Sequence, residues 1–207
     1  ATVFSMNPAG LPYAGGQAGA FVVDAATEST AVEISTYEQF AAFAKAVNAG
    51  TAEAYASVKL TADITIPSGT TWTPIGSAAN PYTGVFDGDG HTVSGLTASI
   101  TAAEYNAEND SVPFGLFGQT QGATIKNLKM SNVEISGSAG SGSGILCGRS
   151  IATTISGCTI DNSCTFNGNT AMVGGLGCML IESTVSDCVV AVQLQLENQA
   201  PPAGGYV

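Results

Sequence analysis

The sequence predicts an all-β chain wound as a right-handed parallel β-helix, a solenoid with an N-terminal capping helix, and three observations predict it. First, rows of thirty residues align the C-terminal half in columns. Ile125, Ile155 and Val185 share one column, Leu128, Cys158 and Cys188 a second, and Met130, Ile160 and Val190 a third. Leu116, Leu146, Leu176 and Tyr206 form another, as do Gly144, Gly174 and Gly204, and Thr124, Thr154 and Thr184. Self-similarity at a fixed period marks stacked units, each burying its face on its neighbours. Second, apolar residues alternate over short stretches, Leu128 with Met130 and Val133 with Ile135, as in half-buried strands. Third, inward parity changes at Lys126-Asn127 and at Ser131-Asn132. A chain that changes parity bends there, and Asn tolerates the left-handed backbone of such a bend. Each coil is therefore expected to hold about three short strands, stacked about 4.8 Å apart.

The elements follow in order. Residues 1–34 form an N-terminal arm in which Phe21-Val22-Val23 and Val32-Glu33-Ile34 fit two strands, while residues 7–19 are rich in Gly, Pro and Ala. Residues 35–50 carry the one helical pattern, with Phe40, Phe43, Ala44 and Val47 at i, i+3, i+4 and i+7. Ser35 with Glu38, and Thr36 with Gln39, both have capping-box spacing, and Gly50 stands as the C-terminal stop. This helix is placed to cover the first coil, whose open end would otherwise be an exposed edge. The solenoid occupies residues 51–207, entering through Leu60, Ala62, Ile64 and Ile66. Thr92-Val93-Ser94-Gly95-Leu96 repeats the pattern of Thr124-Ile125-Lys126-Asn127-Leu128. Between them, residues 97–112 are polar and acidic and read as a loop insertion leaving the coil.

Composition narrows the function. Formal net charge is −11 with five Lys plus Arg, so a phosphate backbone or an anionic membrane surface would be repelled. No apolar run approaches the ~20 residues of a membrane span, so membrane insertion is not expected. Only 10% of residues are charged, unlike a cytosolic enzyme, yet 44% are hydrophobic, unlike a disordered chain. A secreted or cell-surface location is expected from this balance of composition, not from a signal segment. The five cysteines, Cys147, Cys158, Cys164, Cys178 and Cys188, are odd in number and include no C-x-x-C pair. Cys158 and Cys188 would stack in adjacent coils within reach of a disulfide. Free thiols in a column of small apolar side chains are the expected reading.

The order of several motifs resembles the GLUG-repeat β-helix proteins of bacterial surfaces. The matching residues are Val47-Asn48-Ala49-Gly50, Leu60-Thr61-Ala62-Asp63-Ile64, Trp72-Thr73-Pro74-Ile75-Gly76 and Val85-Phe86-Asp87-Gly88-Asp89-Gly90-His91-Thr92-Val93. Gly115-Leu116-Phe117-Gly118 and Thr124-Ile125-Lys126-Asn127-Leu128 follow, and Gly144-Ile145-Leu146-Cys147-Gly148 and Gly174-Gly175-Leu176-Gly177-Cys178 are variants. The resemblance covers about residues 35–207 and implies large adhesin-like exported proteins with no catalytic residues.

Candidate chemistry is sparse. Asp87-Gly88-Asp89-Gly90 looks like the start of a calcium loop, but the closing Glu of an EF-hand is missing, and a Gly-rich corner is the expected reading. Calcium at Asp87 and Asp89 is the one metal considered, and no cofactor is expected. A glycosidase needs two carboxyl groups about 5–9 Å apart. Asp87, Asp89 and Asp161 are the candidate acids, and Asp161 and Asp187 do not share a column. Arg149 is the sole arginine and His91 the sole histidine, the latter beside a Gly-rich turn where a structural role is expected. Trp72 reads as core, whereas Tyr82, and Tyr105 in the insertion, read as exposed rings able to stack on a sugar. The expected function is a non-catalytic, adhesin-like surface module. It would bind a host or matrix protein or a glycan, or build a surface structure. A polysaccharide lyase or hydrolase on the same scaffold, and a subunit of an extracellular filament, are the alternatives. Self-assembly would use the solenoid ends or the N-terminal arm, since a final coil exposes an unpaired edge.

Overall fold

A computed structural model describes residues 31–100, 114–138, 142–169 and 172–196 of the chain. Short parallel strands stack into the walls of a β-solenoid. The longest wall has six strands in the order Val32–Ile34, Ser57–Leu60, Val85–Asp87, Thr124–Lys126, Thr154–Ser156 and Thr184–Ser186. A second wall runs through Ile64–Thr65, Thr92–Ser94, Lys129–Ser131, Thr159–Ile160 and Val189–Val190. A third stacks Thr97–Ile100, Glu134–Ser138, Thr165–Asn169 and Gln193–Leu196. Phe117–Gln121, Cys147–Ile151 and Gly177–Ile181 make a fourth, and Gly142–Gly144 pairs with Met172–Gly174. Among the described residues every strand pairing is parallel.

The columns of the sequence are the columns of the core. Phe86, Ile125, Ile155 and Val185 stack in register, as do Val93, Met130, Ile160 and Val190. Phe86, Ile125 and Ile155 are fully buried, but Val185 is 41% exposed, because no described strand stacks beyond Thr184–Ser186. The bends at Asn127 and Asn132 are left-handed, with φ of 54° and 48°. Gly157 and Asp187 repeat the first of them one and two coils on. Gly122, Ala152 and Glu182 form a second left-handed column that neither Ala nor Glu betrays in sequence.

Four expectations are corrected. A full coil carries five short strands rather than three, at 117–121, 124–126, 129–131, 134–138 and 142–144. The extra ones, Phe117–Gln121 and Gly142–Gly144, carry no apolar alternation to reveal them. Thr92-Val93-Ser94 stacks on Lys129-Met130-Ser131, not on Thr124-Ile125-Lys126. All three share one apolar residue between polar neighbours, so the local pattern cannot tell one wall from the next. The stacking is set by the corner between walls, which takes four residues from Gly88 to His91 but only Asn127 and Leu128 in the next coil. Residues 97–100 of the expected insertion are a strand of the third wall. The remainder of that insertion, with Tyr105, lies outside the described residues, as do residues 1–30 and 197–207. Val32–Ile34, read as part of the arm, is the first strand of the longest wall.

The helix α1 spans Tyr37–Asn48. Of the two capping boxes the sequence allows, the fold uses Thr36 with Gln39. Phe40, Phe43, Ala44 and Val47 are buried, as the spacing predicts. Phe40 stacks on Trp72 at 5.5 Å between ring centroids, and Phe43 on the inward-facing Phe86 at 5.8 Å. Tyr82 and Phe117 extend this aromatic layer. The helix thus lays its apolar face on the interior of the first coils.

Candidate functional site

The corner Asp87–Gly90 is held by its neighbours in adjoining coils. Lys59, Asp87 and Lys126 are register partners across three strands of the longest wall, an ordering of alternating charge. Lys126 Nζ lies 3.1 Å from Asp87 Oδ2, and Lys59 Nζ lies 2.9 Å from Asp89 Oδ2. Asp87 Oδ1 also accepts from the Asp89 backbone N–H at 2.9 Å and from Asn127 Nδ2 at 3.1 Å. Burial alone would raise the Asp87 pKa, but these donors and the Lys126 charge outweigh it and hold the carboxyl below its ordinary value. Three of the four carboxylate oxygens of Asp87 and Asp89 are thus engaged, by two lysines, a backbone N–H and the Asn127 side-chain amide. Asp63 in the coil before accepts from Thr92 N–H at 2.8 Å and meets His91 Nδ1 at 3.3 Å, and this backbone bond leads in lowering its pKa. His91 thus faces Asp63 of the preceding coil.

Asp161 stands apart from that corner. Its Oδ1 accepts from Ser163 N–H at 2.9 Å and from the Ser163 hydroxyl, which in turn accepts from Asn132 N–H at 2.7 Å. The candidate acids therefore brace different bends. Among the described residues, no group of three or more His, Cys, Asp or Glu side chains is arranged to hold a metal ion.

Tyr82 departs from its expected exposure. It is 2% exposed, stacked on Phe117 and edge-on to Phe43, because the loop before the Val85–Asp87 strand turns it into the aromatic layer under α1. Its hydroxyl has no hydrogen-bond partner among the described residues. Trp72 is core as expected, 6% exposed, with Nε1 donating to Leu116 O at 3.3 Å. Cys158 and Cys188 stand as thiols in this structure, and Cys147, Cys158 and Cys164 are buried. Burial pushes the Cys147 thiol up to about 11 and Cys158 up to about 12.

Sequence reading missed how the cap is latched to the coils. Asn48 Nδ2 donates to Pro74 O at 3.0 Å, and Asn48 Oδ1 accepts from Gly76 N–H at 2.7 Å. Asn80 Nδ2 donates to Asn48 O at 3.0 Å. Gly76, at φ 83°, lets the chain pass against the Gln119 carbonyl, where a Cβ would collide. The motifs Val47-Asn48-Ala49-Gly50 and Trp72-Thr73-Pro74-Ile75-Gly76 are thus the two halves of one latch. Beside it, a cavity of about 410 Å³ opens between the end of α1, the 3-10 turn Glu53–Tyr55 and the loop 79–84.

Comparison with known proteins gives few matches. No family model matches the sequence. Over 148 residues, 66% of the chain, it is 32% identical to Halomucin of Haloquadratum walsbyi (strain DSM 16790 / HBSQ001). The matched stretch spans 2% of the length of that protein. A crystal structure of a Bacteroides ovatus protein, assigned as an immunoglobulin A1 protease, is 15% identical and overlaps 87% of this chain and 81% of its own, with a TM-score of 0.39. An overlap that loose carries no argument about chemistry. The chain is therefore placed by its architecture, a parallel β-solenoid with one N-terminal helix, similar in part to a segment of a very long protein.

Proposed function

We propose that this chain is a non-catalytic module of an exported, cell-surface protein, binding a glycan, matrix or host-protein ligand. The observation that carries this reading is the engagement of the candidate acids. Asp87, Asp89 and Asp161 each take bonds that hold a bend or join neighbouring strands, the role of scaffold carboxylates rather than of an acid and base facing a substrate. The resemblance to GLUG-repeat proteins and the similarity to a protein named as a mucin support an exterior location. A solenoid suits the task because its walls present aligned side chains at strand spacing, as in the Thr124, Thr154 and Thr184 column.

The test is a glycan and matrix-protein binding array with the purified chain, run beside turnover assays on pectin, alginate and other acidic glycans with and without calcium. Binding without turnover is the expected result. Release of unsaturated or reducing ends that vanishes in Asp87→Asn or Asp161→Asn would replace this reading with a carbohydrate-active enzyme.

A further inference from the structure

The last two described coils set one thiol above another. Cys158 and Cys188 occupy the same corner, between Thr154–Ser156 and Thr159–Ile160 in one coil and between Thr184–Ser186 and Val189–Val190 in the next. Ser156 is the register partner of Ser186 and Thr159 of Val189, so the two cysteines stack directly. Backbone bonds clamp the corner on both sides of them. Gly157 N–H donates to Ser186 O at 3.1 Å, and Val189 N–H donates to Cys158 O at 2.9 Å. Coils about 4.8 Å apart hold such Cα atoms inside the ~4.4–6.8 Å span that disulfides use. Both sulfurs turn the same way: Cys158 Sγ lies 3.5 Å from Ser156 O, and Cys188 Sγ lies 3.2 Å from Ser186 O and 3.9 Å from Ile155 O in the coil below. Cys147, by contrast, stacks on Gly177.

We propose that Cys158 and Cys188 join as a disulfide when the chain meets an oxidant, stapling its last described coil to the one before. That coil has cover on one side only. No described strand stacks beyond it, and its Val185, Val189, Val190 and Leu194 are exposed. The same edge makes the chemistry possible. Cys158 is fully buried, whereas Cys188 is half-buried in the outermost described coil and reacts first. With a small-molecule disulfide as oxidant, the Cys188 thiolate attacks one reagent sulfur, forms a mixed disulfide and releases one thiolate. Cys158 then loses its proton and attacks the Cys188 sulfur, which forms the Cys158–Cys188 bond and releases the second thiolate. The two protein protons end on the released thiolates. Two protein thiols are oxidised, and one reagent disulfide is reduced to two thiols. Cys158 never has to meet the reagent, only the sulfur stacked on it. Burial pushes the Cys158 thiol up to about 12, which makes the second step the slow one. Disulfides persist outside the cell, the setting proposed above.

The purified whole chain is oxidised with glutathione disulfide at pH 8, its remaining thiols are blocked, and it is cleaved after Arg149 and before Asp161 and Asp187. These cuts put Cys158 and Cys188 on separate peptides without another cysteine, so a bond between them is read directly by mass. The expected result is that linked pair of peptides, with a melting temperature about 5 °C or more above that of the reduced chain. Cys158→Ser should stop at a stable glutathione adduct on Cys188, and Cys188→Ser should give neither linked pair nor added stability. A parent chain that keeps the adduct on Cys188, links Cys188 to another cysteine or to a second copy, or leaves Cys188 unreacted would overturn the proposal. A Cys158–Cys188 bond that leaves the melting temperature unchanged would overturn its role as a staple.

Discussion

Replacing Ile155 and Val185 by alanine tests the stacked core directly, since the two share a column and differ in cover. Ile155 is fully buried between Ile125 and Val185, whereas Val185 is 41% exposed. Ile155→Ala removes three carbons, about 2.4 kcal/mol of transfer free energy at ~0.8 kcal/mol per methylene. The cavity left between two packed coils raises the cost to about 3–4 kcal/mol, within the range of ~2–5 for such truncations. Val185→Ala removes two carbons, about 1.6 kcal/mol if fully covered, and partial exposure reduces this to about 1 kcal/mol. Guanidinium unfolding followed by circular dichroism gives both values. A difference below about 1 kcal/mol between the two variants would refute the in-register column. Ile155→Asp goes further: an unpaired carboxylate buried in that column costs several kcal/mol, comparable with the stability of a whole domain, and the variant is expected not to fold.

Three further outcomes are expected. Asp63 and Asp87 have pKa values lowered in the fold, so their stabilisation is present above the unfolded carboxylate pKa and is lost as pH falls through the folded value. Melting temperature should therefore drop below about pH 4; Asp63→Asn should flatten that drop, and an unchanged profile would contradict the assignment. Native alkylation at pH 8 followed by intact-mass analysis should spare Cys147 and Cys158, whose thiols sit near 11 and 12, and reach Cys178 and Cys188 first; full labelling of all five in the native protein would contradict the buried column. With a net charge of −11, the chain should melt higher as salt screens its self-repulsion, and a melting temperature independent of salt would show that the charge is too dispersed to matter.

The sequence by itself determined what repeats. A period of thirty places Ile125, Ile155 and Val185 in one column, and parity changes at Asn127 and Asn132 locate two left-handed bends, because inward alternation and turn chemistry are local rules. The capping helix was equally legible, from i, i+3, i+4, i+7 spacing and a box at Thr36 and Gln39. Only the tertiary structure decided which wall each upstream strand joins. Thr92-Val93-Ser94 and Val85-Phe86-Asp87 both place one inward apolar residue between outward neighbours, and a longer corner assigns them to different walls. It also decided the fate of Tyr82. A tyrosine in a polar loop reads as exposed, but the aromatic layer beneath α1 draws the ring inward, where burying apolar area outweighs an uncompleted hydroxyl. Residues far apart in sequence make that layer and the cavity beside it: Phe43 on the cap, Tyr55 on the first turn, Tyr82 on a loop and Phe117 in the next coil. No local pattern records such a meeting, because it exists only once the coils have stacked and the helix has closed over them.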